Sequence, residues 1–158
     1  MKRSITFLLL SVLLVSTAAA QSTIFFVRHA EKADASDDTD ISEAGRARAE
    51  SLATLLKDAG ISAIYTTQFK RTQQTAAPLA KALHLEPAIV SSKDSAALIA
   101  KLQGSSGNVL VVGHGNTIPD LIKTLGISAP INIADNDYDN LWIVLREKEP
   151  RLIRLHFR

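Results

Sequence analysis

The run Val109-Leu110-Val111-Val112 holds four apolar residues in a row, opened by Asn108 and closed by Gly113. A strand that is apolar on both faces must be covered on both, as happens in a parallel sheet packed between two layers of helix. Ile24 to Val27, "IFFV", is a second such run, and "ISAIYTT" from Ile61 is a shorter third. Segments of helical period lie between them. Ser42 can cap a helix in which Leu52, Leu55, Leu56 and Ala59 fall at i, i+3, i+4 and i+7, and Gly60 ends it. A second helix is expected from about Gln68 to Leu83, with Pro78 kinking or breaking it. "PAIV" reads as a further strand, "SAALIAKL" and "NTIPDLIKTLG" as short helices, and "NLWIVLRE" with "RLIRLHF" as a closing hairpin. The alternation predicts an α/β protein: a three-layer sandwich with a mostly parallel central sheet and helices on both faces.

The first twenty of the 158 residues read differently. "MKRS" is a short positive start, "ITFLLLSVLLV" is apolar, and "STAAA" supplies small residues before Gln21. This is the pattern of a signal peptide over residues 1–20, followed by a single domain over 21–158. The apolar run is too short for a membrane span, which takes roughly 20 residues. The expected destination is therefore export, to the periplasm or the medium, with no membrane association after cleavage. Loss of Lys2 and Arg3 turns 18 basic against 16 acidic residues into 16 against 16. A mature chain of zero net charge gives no reason to expect nucleic acid as a partner. There is no cysteine, hence no disulfide and no thiolate chemistry.

In open α/β sheets the ligand sits beyond the carboxyl ends of the strands. Arg28-His29 lies just past the first run, Gly113-His114-Gly115 just past "NVLVV", and Arg71 a few residues past "AIY". Two arginines and two imidazoles at neighbouring strand exits would make a cationic pocket suited to phosphate. A neutral imidazole nitrogen there could attack phosphorus while the other cations spread the charge on the phosphoryl oxygens. Neither metal nor cofactor is required. The spacing alone does not say which residue does what.

Four stretches resemble the histidine phosphatase superfamily, the phosphoglycerate-mutase-like fold. "VRHAEK" is similar to its Arg-His-Gly signature, and "DISEAGRARAESLATLL" to its Leu-Ser-x-x-Gly helix. "TTQFKRTQQTAAPLA" is similar to its second motif and "VLVVGHGNT" to its Gly-His motif. The resemblance runs from about Thr23 to Leu145. It implies that His29 is the nucleophile, that Arg28 and Arg71 bind the phosphate, and that His114 stabilises the transferring group. Two departures stand out: Ala30 replaces the usual glycine, and the insert that commonly carries the general acid is missing. Asp139 and Glu31 are the expected proton donors, in that order.

The reading that follows is a metal-independent phosphatase acting on a phosphorylated small molecule or a phosphohistidine, through a phosphohistidine at His29. The alternatives are a phosphomutase of the same superfamily and a non-catalytic protein that binds a phosphorylated ligand. A metal hydrolase is disfavoured, because no compact ligand spacing such as H-x-x-x-H occurs. The outer pocket is expected to be formed by Ala33 to Asp40 and Ala129 to Tyr138. Both loops are acidic, so highly anionic substrates would be disfavoured.

Overall fold

The protein is described by a computed structural model covering residues 22–158. The expected signal segment lies outside the described residues. Six strands and four helices alternate: β1 (Thr23–Arg28), α1 (Glu43–Leu56), β2 (Ile61–Thr66), α2 (Lys70–Leu83), β3 (Ala88–Ile89), α3 (Ser95–Gly104), β4 (Asn108–Gly113), α4 (Ile118–Thr124), β5 (Asn140–Leu145) and β6 (Arg151–His156).

The strands form one sheet in the order β3-β2-β4-β1-β5-β6. The pairs β2–β3, β2–β4 and β1–β4 are parallel, whereas β5 runs antiparallel to both β1 and β6. Five strands therefore share a direction and β5 alone opposes them. The short "KEP" connection permits only a hairpin, which is why β5 and β6 close the sheet antiparallel.

Successive side chains of a strand point to opposite faces, and both apolar runs feed two cores. Phe25, Val27, Leu110 and Val112 pack with Leu52, Leu56, Ala76 and Leu79 of α1 and α2. Ile24, Phe26, Val109 and Val111 pack with Leu102, Ile118, Leu121 and Ile122 of α3 and α4. The result is the three-layer α/β sandwich.

Helix ends follow the local chemistry. Ser42 accepts the Gly45 amide at 3.1 Å through its hydroxyl, and Asp94 caps α3 by accepting the Ala97 amide at 2.9 Å. Helix α2 has no capping side chain of its own. Its first amide, Lys70 N, is taken at 2.8 Å by the carboxylate of Asp38 from the loop before α1. The helix ends at His84, whose left-handed φ of 54° lets Leu85 N reach back to Ala80 O at 2.9 Å.

Some local expectations are corrected. Leu55 is 47 % exposed rather than part of the α1 core stripe, because α1 turns Leu52, Ala53 and Leu56 inward instead. Helix α2 runs unbroken through Pro78, which lies on a partly exposed face where the carbonyl it orphans can reach water. Strand β3 is only two residues long. At α4 the N-cap residue, Thr117, makes no capping hydrogen bond through its side chain. Among the described residues no helix is long and apolar enough to cross a membrane.

Candidate active site

Strands β2, β4 and β1 are adjacent and parallel, so their exit loops meet on one edge of the sheet. Arg28 pairs in register with Gly113, and His29 N donates to Gly113 O at 2.9 Å. The residues that follow, His29 and His114, stand with ring centroids 5.4 Å apart at 62°. Together with Arg28 and Arg71 they line one open cavity of about 710 Å³.

The His29 ring is 4 % exposed as a residue, and Nδ1 lies 2.9 Å from Ala30 O. A carbonyl oxygen only accepts, so Nδ1 carries the proton and the lone pair sits on Nε2. Burial lowers the His29 pKa to about 4. The hydrogen bond to Ala30 opposes this, and the nearby Arg71, His114 and Arg28 reinforce it. The ring is neutral at ordinary pH, the state a nucleophile needs. Ala30 itself is fully buried against Ile41 and Ala49, and its amide donates to Thr75 Oγ1 at 2.9 Å. The methyl that replaces the usual glycine hydrogen thus fills a small apolar contact.

His114 is set by a chain of hydroxyls. Its Nε2 lies 3.0 Å from Thr67 Oγ1, which lies 3.0 Å from Thr72 Oγ1. Thr72 Oγ1 faces Phe69 O at 2.8 Å and Thr67 O at 3.1 Å. Carbonyls take the Thr72 proton, so Thr72 must accept from Thr67, and Thr67 must accept from His114 Nε2–H. Neutral His114 therefore keeps its lone pair on Nδ1. Its pKa is also pushed down to about 4, by burial first and then by Arg71 and Arg28.

Both arginines are held without carboxylates. Arg28 Nη1 donates to Ala134 O at 2.7 Å and Asp135 O at 2.8 Å, and its guanidinium lies 4.4 Å from the Tyr138 ring centroid. Arg71 Nη1 donates to Asp37 O at 2.5 Å and its guanidinium lies 4.3 Å from the Phe69 ring. The Nε–H of each is buried and has no protein partner. A buried donor left unpaired costs about 1–3 kcal/mol, a cost that a bound oxyanion would remove.

The two expected proton donors are not in this cavity. Glu31 points to α1, where Arg48 grips it with contacts of 2.6 to 3.0 Å. Burial works against its charge, but the Arg48 hydrogen bonds, a bond from its own backbone amide and the Arg48 charge together outweigh it and hold the carboxyl below the usual range. Asp139 faces His156 Nδ1 at 3.1 Å. Both line a neighbouring depression with Arg48 and Asp137. Alternation along an extended chain would put Glu31 on the same side as His29, so it is the Arg48 contact, made where the chain has left the strand, that carries Glu31 away from the cavity.

The one carboxylate residue among those lining the histidine cavity is Asp135. Lys32 and Lys93 line it as well. The expectation of an acidic rim is thus corrected: four cationic side chains surround the cavity against one acid. Sequence reading did not single out Lys93, which follows β3, and gave no role to Thr67, although a hydroxyl at the β2 exit is part of the second motif. Among the described residues no three His, Asp or Glu side chains are gathered so as to hold a metal ion.

These features define a class: an α/β sandwich whose parallel strand exits collect a histidine pair and two arginines. Residues 24–93 match the family model described as Histidine phosphatase superfamily (branch 1). Solved structures of this fold include a mycobacterial glucosyl-3-phosphoglycerate phosphatase in complex with VO3. It is 16% identical, covers 85% of this chain and 98% of its own, and superposes with a TM-score of 0.67. The protein histidine phosphatase SixA complexed with tungstate is 20% identical, with 85% and 96% covered and a TM-score of 0.66. No curated protein matches the sequence.

Proposed function

We propose that the protein is a metal-independent phosphatase that hydrolyses a phosphomonoester or phosphohistidine through a covalent intermediate on His29. The observation that carries this reading is the tautomer of His29. With Nδ1–H tied to Ala30 O, the Nε2 lone pair is the free one, in a ring kept neutral beside two guanidinium groups.

In the first step Nε2 forms a bond to phosphorus as the bond to the leaving group breaks. In the second, water attacks phosphorus and the nitrogen–phosphorus bond breaks, returning neutral His29 and inorganic phosphate. Arg28, Arg71 and His114 hold the phosphoryl oxygens in both steps, and their charge is strongest against the spread-out negative charge of the transition state. A dianion also raises the pKa of His114, so that a second ring proton, on Nδ1, becomes favourable once phosphate is bound. Solved structures of this fold with VO3, tungstate and inorganic phosphate support an oxyanion site in this architecture. The cavity is open, without an insert that would hold a reorienting intermediate, and this favours hydrolysis over a mutase.

Purified protein should hydrolyse phenyl phosphate in the presence of a chelator, and His29→Ala should lose at least about 10³-fold in kcat. Equal turnover by the two proteins would overturn the reading, and binding without turnover would favour the non-catalytic alternative. Export belongs to the same proposal: the protein recovered from its producing cell should start at Gln21.

A further inference from the structure

We propose that two copies of the protein associate through strand β6, paired antiparallel across a two-fold axis at Ile153, so that their sheets join into one. The pairing is independent of the chemistry at His29.

Strand β6 is an outer strand of the sheet, and five of its six residues are exposed. Its register against β5 runs without a bulge from Arg151 to His156, and Pro150 stands before the strand rather than inside it. The backbone groups on the free side can be named. Phe157 N donates to Asp139 O at 2.9 Å, on the β6 side of β5, and Arg146 N donates to Ser22 O at 3.1 Å, on the β1 side. Residue pairs in an antiparallel ladder alternate between bonded and unbonded. The odd-numbered residues of β6 therefore bond to β5, and Leu152, Arg154 and His156 turn their backbone N–H and C=O to the open edge.

Edge strands are commonly kept from pairing by free charges. Each charge on β6 is instead tied to its own chain. Arg151 donates to Glu147 at 3.0 and 3.1 Å. Arg154 donates to Asn140 Oδ1 at 2.6 Å and lies 4.7 Å from the Trp142 ring centroid. His156 is held by Asp139. What the strand offers on its α1 side is apolar. Ile153 and Leu155 are 42 % and 45 % exposed, and Leu155 lines a shallow depression of about 500 Å³ with Leu55 of α1. These are three of the four large apolar side chains exposed among the described residues.

The order of residues selects a second copy as the occupant. A two-fold axis normal to the sheet keeps each face on its own side, so odd residues meet odd and even meet even. With the axis at Ile153, that residue faces itself, Leu152 faces Arg154, and Arg151 faces Leu155. Leu152 and Arg154 then exchange backbone hydrogen bonds in both directions, and each arginine stem lies beside a leucine. An axis at Arg154 would set two guanidinium groups opposite each other, and one at Leu152 would leave Leu155 uncovered. Because the copies run antiparallel, their histidine cavities open on opposite edges of the joined sheet and neither is blocked. One strand pair flanked by Leu55 is a small interface, below roughly 1,200 Å², so the dimer is reversible.

The test is sedimentation of the purified protein from about 10 µM to about 1 mM, the range in which a small interface populates. Wild type should move from the mass of one chain toward that of two. Ile153→Lys sets two ammonium groups opposite each other and should weaken association by at least about tenfold, with an unchanged circular dichroism spectrum. The chain has no cysteine, so Ile153→Cys carries a single thiol. On the axis the two Cα atoms would stand about 4.5 Å apart, within disulfide reach. Mild oxidation should link two chains of Ile153→Cys and not of Leu155→Cys, whose neighbour across the seam is Arg151. This arm decides the question even if Ile153→Lys folds poorly. A single-chain mass at every concentration overturns the proposal. So does a two-chain mass that Ile153→Lys leaves unchanged, or one accompanied by no link in Ile153→Cys.

Discussion

His114 Nε2 and Thr67 Oγ1 are 3.0 Å apart, and the direction of that hydrogen bond is fixed from outside the pair by Thr72. The Thr67 hydroxyl is a positioning group that holds the second histidine by its far nitrogen. Thr67→Val removes the acceptor for Nε2–H, and kcat/KM should fall by about tenfold, the cost of one hydrogen bond to a group that becomes charged. Thr67→Ser keeps the oxygen and should retain most of the activity. Ring-proton NMR separates positioning from simple loss of packing: in the presence of phosphate, His114 should titrate lower in Thr67→Val than in wild type. An unchanged titration would contradict the relay.

Asp135 is the one carboxylate residue lining the cavity among the described residues, which makes it the residue to test as proton donor to a departing alkoxide. Proton donation matters most when the leaving group is strongly basic. Asp135→Asn should therefore slow alkyl phosphates by about 10²-fold and nitrophenyl phosphate by less than about threefold. An equal effect on both would assign Asp135 to binding rather than proton transfer.

The two buried histidines also set how stability depends on pH. Both are held near pKa 4, against about 6.5 in an unfolded chain. Between those values the unfolded state binds more protons, so stability rises with pH and is lost as pH falls from 6.5 toward 4. The loss is on the order of 3 kcal/mol for each ring. Urea unfolding across this range should show it, and His114→Asn should flatten the slope. Phosphate should blunt the loss, because it binds the folded state and favours the charged rings. A stability independent of pH over this window would mean that the rings are not buried as described.

Much of the fold was legible because β1 and β4 are apolar on both faces, a pattern that only a doubly covered strand explains. The four residues Arg28, His29, Arg71 and His114 were found as a group because parallel neighbours bring their exits to one edge. The acids were not legible. Asp135 and Asp139 differ by four positions in a loop without period, and what sorts them is remote: Arg28 pulls Ala134 O and Asp135 O to the cavity, while Asp139 meets His156. Glu31 sits two residues from His29, yet Arg48 of α1 draws it to the other side. Gly45 makes that approach possible, since a Cβ there would lie 2.6 Å from Glu31 O. Such contacts join residues far apart in sequence, which local pattern cannot anticipate.

The most direct test of the account is rapid quenching of the wild-type reaction with a labelled phosphomonoester, followed by identification of the modified residue. The account predicts a transient phosphoenzyme that is labile in acid, carries phosphorus on Nε2 of His29, and is absent from His29→Ala. Turnover without such an intermediate, or phosphorus on any other residue or on Nδ1, would contradict it.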